Sequence, residues 1–137
     1  MVCLGGSAVA LLLQGCGISK TVTGTIAGSD LIVSESIFET RAGNETYYKR
    51  YIIVNHDKLK FPICIYRLNA QHYTALWLQC THQGAELQVF GDKLQCPAHG
   101  SEFDSIGNVT GGPADKNLRS FPVTIINNQL NISLKAV

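Results

Sequence analysis

Cys80-Thr81-His82-Gln83-Gly84 and Cys96-Pro97-Ala98-His99-Gly100-Ser101-Glu102-Phe103-Asp104 are the stretches on which the reading of this chain turns. Each supplies one thiol and one imidazole, and thirteen residues, 83–95, separate the two. Within that interval Leu87 to Phe90 and Lys93 to Gln95 read as strands about a Gly91-Asp92 turn, a hairpin that brings its two ends together. Four soft or borderline donors gathered in this way imply a metal centre. A lone loop histidine is ordinarily a hydrogen-bonded surface residue, and a lone cysteine a small buried hydrophobe. Two matched pairs, flanked by glycines, are read as ligands instead.

The composition fits a small domain built around such a centre. The 137 residues suffice for one domain with a modest core. Apolar residues make up 45% and charged residues 15%, which excludes a disordered chain. Eleven Lys and Arg balance ten Asp and Glu for a net charge of +1, so no nucleic-acid partner is expected. Thirteen glycines, a single Met and many Val, Ile, Thr and Tyr residues favour short strands and turns, an all-β domain. The five cysteines, Cys3, Cys16, Cys64, Cys80 and Cys96, are odd in number and irregularly spaced, so no disulfide framework is expected. Cys64 reads as a buried thiol, His56 and His72 as turn residues and Trp77 as core.

Further strands are expected at Leu31 to Val33, Tyr47 to Asn55, Phe61 to Leu68 and Tyr73 to Leu78. Val123 to Ile126 and Leu130 to Leu134 make a closing hairpin about Asn127-Asn128-Gln129, and Ser34 to Phe38 a turn or helical cap. Strands at this spacing suggest a sandwich or small barrel. Upstream, residues 1–19 carry no charge, and the apolar run Val9 to Leu13 is followed by Gln14-Gly15-Cys16. Residues 1–16 resemble a bacterial lipoprotein signal with Cys16 as the lipidated residue, although no Lys or Arg precedes the apolar run. A spanning anchor is the alternative, and the run is short against the roughly 20 apolar residues a span needs. Either option places the domain on the periplasmic or outer-facing side of a bacterial membrane. Residues 17–30 read as a Ser-, Thr- and Gly-rich linker in which Val22, Thr23 and Ile26 could form a strand or pack on the domain, 31–137.

The two ligand stretches together resemble the Rieske iron–sulfur signature, C-x-H followed by C-P-x-H-G-S-x-[FY]-D. Ser105 to Val109 and Gly111-Gly112-Pro113-Ala114, with Leu118, Phe121 and Val123, are similar to the third loop and closing strand of that family. Pro62-Ile63, Tyr66-Arg67 and Tyr73 to Leu76 fit its strand pattern, so the likeness runs from about Phe38 to Leu134. It implies an antiparallel β-sandwich carrying a small cluster-binding subdomain of loops, with one [2Fe–2S] cluster per chain. By matching positions Cys80 and Cys96 would hold one iron, and His82 and His99 the other at the exposed end. Imidazole is less negative than thiolate, so such centres run from about −150 to +300 mV, against about −400 mV for plant-type ferredoxins.

The resemblance also implies roles around the cluster. The Ser101 hydroxyl would donate to a cluster sulfur, Gly84 and Gly100 would let backbone N–H groups approach, and Gly111-Gly112-Pro113 would cover the centre. Phe103 stands where high-potential relatives carry a Tyr hydroxyl, and Ala85 and Ala98 where they carry a disulfide. Both departures imply an intermediate or low potential. The function implied is one-electron transfer by a membrane-attached subunit of a quinol-oxidising or other periplasmic redox complex, its partners redox proteins such as a cytochrome, or quinol itself. The alternatives are a soluble Rieske ferredoxin serving an oxygenase or reductase, and a structural zinc module with the same four ligand types. None makes the isolated chain an enzyme with its own substrate.

Overall fold

Residues 20–135 are described by the structure, a computed structural model. The expectations for residues 1–16, Cys16 included, lie outside the described residues. The centre of the fold is a five-stranded sheet, ordered β1 (Thr21–Thr23), β6 (Tyr51–Asn55), β7 (Ile63–Asn69), β8 (His72–Trp77) and β13 (Ser120–Phe121). One face is covered by a four-stranded sheet of β14 (Val123–Ile126), β15 (Gln129–Ser133), β3 (Asp30–Ser34) and β2 (Thr25–Ala27). A second four-stranded sheet, β12 (Val109–Gly111), β11 (Glu102–Asp104), β10 (Lys93–Gln95) and β9 (Gln88–Phe90), carries the ligand loops. A separate hairpin pairs β4 (Glu39–Ala42) with β5 (Glu45–Tyr48).

The burial of β7 shows why the fold has three layers. Successive strand residues point to opposite faces, and Ile63, Cys64, Ile65 and Tyr66 are all fully buried. Ile63 and Ile65 join Leu31, Val33, Ile52, Leu130 and Ile132 in the sandwich core. Cys64 and Tyr66 face the other way, into a second core with Leu78, Leu94, Phe103 and the ligand-loop cysteines Cys80 and Cys96. Cys64 is thus a buried thiol beneath the ligand subdomain. Four hydrogen bonds from three side chains fix that subdomain to the central sheet. The Tyr66 hydroxyl donates to the Gly91 carbonyl at 2.7 Å, the Thr74 hydroxyl to the Ser105 carbonyl at 2.7 Å, and Arg50 grips Asp92 through Nε at 2.9 Å and Nη2 at 2.5 Å.

The described part of the expected linker, 20–30, is corrected to a part of the domain. Thr21–Thr23 pairs in parallel with β6, and Thr25–Ala27 antiparallel with β3. Val22 and Ile26 pack on the sandwich core, the alternative the sequence left open. Gly24 makes the crossing between the two sheets possible, because a Cβ there would stand 2.6 Å from Leu31 Cδ1. The single strand expected over Tyr47 to Asn55 is two strands broken at Lys49-Arg50. Lys49 donates its N–H to the Phe38 carbonyl and its ammonium to the Ile37 carbonyl at 3.1 Å, while Arg50 turns to Asp92. Ser34 caps a single 3₁₀ turn, Glu35–Phe38. The closing hairpin turns on Asn127 and Asn128 at φ 51 and 63, which pairs Ile126 with Gln129. Among the described residues no helix is long and apolar enough to cross a membrane.

Candidate metal centre

The two ligand stretches fold into the same loop twice. In the first, Cys80 N–H donates to the Ala85 carbonyl at 2.8 Å and Gly84 N–H to the Cys80 carbonyl at 2.9 Å. In the second, Cys96 N–H donates to the Ser101 carbonyl at 2.8 Å and Gly100 N–H to the Cys96 carbonyl at 2.9 Å. A Gln79–Glu86 bridge closes the first loop and the Gln95–Glu102 pair the second. The fifth position of each must turn through the left-handed region, and Gly84 and Gly100 take it at φ 81 and 80. Nothing lies within 4 Å of a Cβ placed on Gly100. Its glycine answers the backbone angle.

This repeated geometry sorts the four donors into two pairs. Cys80 and Cys96 are buried, at 2% and 3% exposure. His82 and His99 are exposed, their rings 5.3 Å apart and crossed at 88°. The β9–β10 hairpin brings the two loops together, as the sequence requires. A third loop braces both. The Thr81 hydroxyl donates to the Lys116 carbonyl at 2.7 Å, and the Ala114 N–H to Ser101 Oγ at 2.9 Å. The base of that third loop is tied down by Asp104, whose carboxylate accepts from the N–H groups of Ile106 and Asn108, and by Asn117, which accepts from Val109 N–H.

The Rieske [2Fe-2S] domain family matches residues 40–122, the span that holds every one of these loops. The chain belongs to the Rieske family. It is 33% identical over 106 residues to the cytochrome b6-f complex iron-sulfur subunit of Synechococcus elongatus, covering 72% of this chain and 53% of that one. The corresponding subunit of Microcystis aeruginosa is 31% identical over 99 residues, covering 66% of this chain and 49% of that one. The chain thus spans about half the length of the curated relatives it matches. Among solved structures, the cyanobacterial plasma membrane Rieske protein PetC3 from Synechocystis PCC 6803 matches with a TM-score of 0.52 and 30% identity. That match covers 64% of this chain and 87% of that one.

A Rieske domain implies a [2Fe–2S] cluster, and the donor set fits one. No three His, Cys, Asp or Glu side chains among the described residues converge as one metal ion would require. A tetrahedral zinc site wants all four donors on a single point, whereas two irons want the thiol pair and imidazole pair found here. Burial alone would push the Cys96 thiol up. The N–H groups of His99 and Ala98 and the Cys80 thiol outweigh it, so Cys96 is held below the ordinary thiol range. That direction favours the thiolate a metal binds.

Around the Rieske loops the remaining expected residues are placed as follows. Ser101 is fully buried, and because its oxygen accepts from Ala114 its hydroxyl hydrogen remains free to donate. Phe103 is fully buried opposite Leu94 and forms the floor of the subdomain. Pro113 is exposed, and it is Ala114, one residue on, that packs inward. Ala85 is half-buried and Ala98 exposed. Thr81, Asn117 and Tyr66 brace the site without having been singled out for it. Nothing local marks them, since each acts on a partner at least 8 residues away in the chain.

Proposed function

We propose that this chain is a membrane-attached one-electron carrier of a quinol-oxidising or other periplasmic redox complex, with Cys80 and Cys96 on one iron and His82 and His99 on the other. The observation that carries the assignment is the duplicated loop, which buries both thiols and exposes both imidazoles at one end of the domain. When bound, the [2Fe–2S] centre supplies reversible acceptance of a single electron. The protein does the rest. The exposed imidazoles present the edge through which a partner makes contact. The buried sulfurs keep water from the thiol side, where N–H donors from Ala98 and His99 stabilise negative charge on Cys96. Thr81 and Ser101 hold the third loop over both ligand loops.

Kinship with subunits of cytochrome b6-f complexes supports redox proteins as partners, and the apolar run Val9 to Leu13 shortly before Cys16 supports attachment by a lipid. Anaerobic reconstitution tests the ligand set. The wild-type chain should bind two irons and two acid-labile sulfides, and Cys80→Ser or Cys96→Ser should bind neither. His82→Cys should keep a cluster whose potential falls toward the thiolate range of about −400 mV. An unchanged potential would remove His82 from the ligand set. Cys16→Ala should release the chain from membranes, and a variant that still sediments with them overturns lipid attachment.

A further inference from the structure

The two ligand loops share a backbone and differ in what stands beneath it. Each is entered from a glutamine and left through a glutamate, Gln79 and Glu86 in the first, Gln95 and Glu102 in the second. In the second loop the glutamine turns to its own glutamate, Gln95 Nε2 donating to Glu102 Oε2 at 3.5 Å. In the first it turns elsewhere, and Gln79 Oε1 accepts from the Trp77 indole Nε1 at 2.9 Å. An indole N–H can only donate, so it takes the amide oxygen and directs the NH2 group the other way. There Gln79 Nε2 stands 3.1 Å from a Cβ built on Gly84, and no other atom of the described residues beyond its chain neighbours comes within 4 Å.

Trp77 is a firm support for that amide. Its ring meets those of Phe61 and Phe121 edge-on, each at 5.8 Å, and it packs on the sandwich core. Its backbone N–H donates to the Arg119 carbonyl at 2.9 Å. Trp77 and Gln79 therefore join the sandwich to the turn that follows His82, where Gly84 takes φ 81. The Thr81 hydroxyl ties the same loop to the third loop at Lys116, not to the sandwich. The matching turn of the second loop, Gly100 at φ 80, has no such side chain beneath it. Two loops of one geometry are thus supported unequally, and the difference falls on the loop that carries His82.

We propose that Gln79, held by Trp77, is a positioning residue for His82: its amide supports the Gly84 turn and so fixes the imidazole relative to Cys80, while His99 is placed without such a strut. The inference rests on His82 being an iron ligand and goes beyond that reading by naming what sets its place. Gln79 acts through the turn and is not itself a ligand. Partners that orient a metal ligand in this way are typically worth about 10–100-fold in metal affinity.

Gln79→Leu and Trp77→Phe, made separately in the full chain carrying its cluster, test this. Each should shift the EPR g values and the midpoint potential of the centre in the same direction and weaken iron retention against a chelator about tenfold. Each should also speed hydrogen exchange at 81–85 and leave 96–101 unchanged. The double variant should go no further than either single one, because both remove the same contact. Gln79→Glu keeps an oxygen for the indole and should restore the exchange protection. Unchanged g values and potential in both single variants, or equal loosening at 81–85 and 96–101, overturns this inference alone. A wild-type chain without a [2Fe–2S] EPR signal overturns the ligand assignment and this inference with it.

Discussion

At Ser101 a single oxygen serves two purposes, and its removal separates them. It accepts from Ala114 N–H in a fully buried place, so Ser101→Ala strands a backbone donor at a cost of about 1–3 kcal/mol. The same change removes the hydroxyl hydrogen and should lower the midpoint potential, read by voltammetry beside a denaturant titration. Gly107 is constrained twice, by φ 91 and by Leu76 Cδ2 at 2.9 Å from a would-be Cβ. Gly107→Ala should cost more than the roughly 1–2 kcal/mol of the left-handed backbone alone, read in a denaturant titration. Cys64 contributes to the alkaline pH dependence from the lowest pH, ahead of the buried Tyr66, whose hydroxyl burial also pushes up. Burial pushes its thiol far above the ordinary range, against a lowering contact with Tyr66. The folded state therefore keeps a proton that the unfolded chain releases above about pH 8.5. Stability is full below that pH and declines as pH rises beyond it. Cys64→Val should flatten the decline between pH 8 and 11 in thermal melts, and an equal slope in both proteins would exclude Cys64 as its source.

Between elements, the contacts from the central sheet to the ligand subdomain differ in worth. The Tyr66 hydroxyl leaves a buried ring to reach Gly91, so Tyr66→Phe should cost about 1 kcal/mol. The Arg50–Asp92 pair is 54% and 63% exposed, and Asp92→Ala should change stability by no more than about 1 kcal/mol and less in high salt. Both effects are measurable in urea with the cluster in place. The ligand elements show where sequence reading succeeds. β10 and β14 fall at the expected bounds, since alternation beside a Gly-Asp or Asn-Asn turn is a local signal. β11 and β12 carry no such signal, and of β13 the expected closing strand covers only Phe121. They are two or three residues long and exist only through the strands they pair with.

For the whole molecule, the two cores make a prediction about cluster removal. Leu31, Ile52, Ile65 and Leu130 belong to the sandwich core, while Cys80 and Cys96 are part of the second. Chelating the iron should speed hydrogen exchange at 80–85, 96–101 and 112–118 and leave β3, β7 and β15 protected. A uniform loss of protection would mean that the sandwich depends on the cluster. The metal centre, the family and the all-β class were determined by the sequence alone, because ligand chemistry depends on residue type at fixed short spacing and strand formation on local alternation. Only the tertiary structure decided that β7 is covered on both faces and that the 20–30 segment is built into two sheets. Those facts come from pairings between residues far apart in the chain, whose energies arise only when the sheets meet.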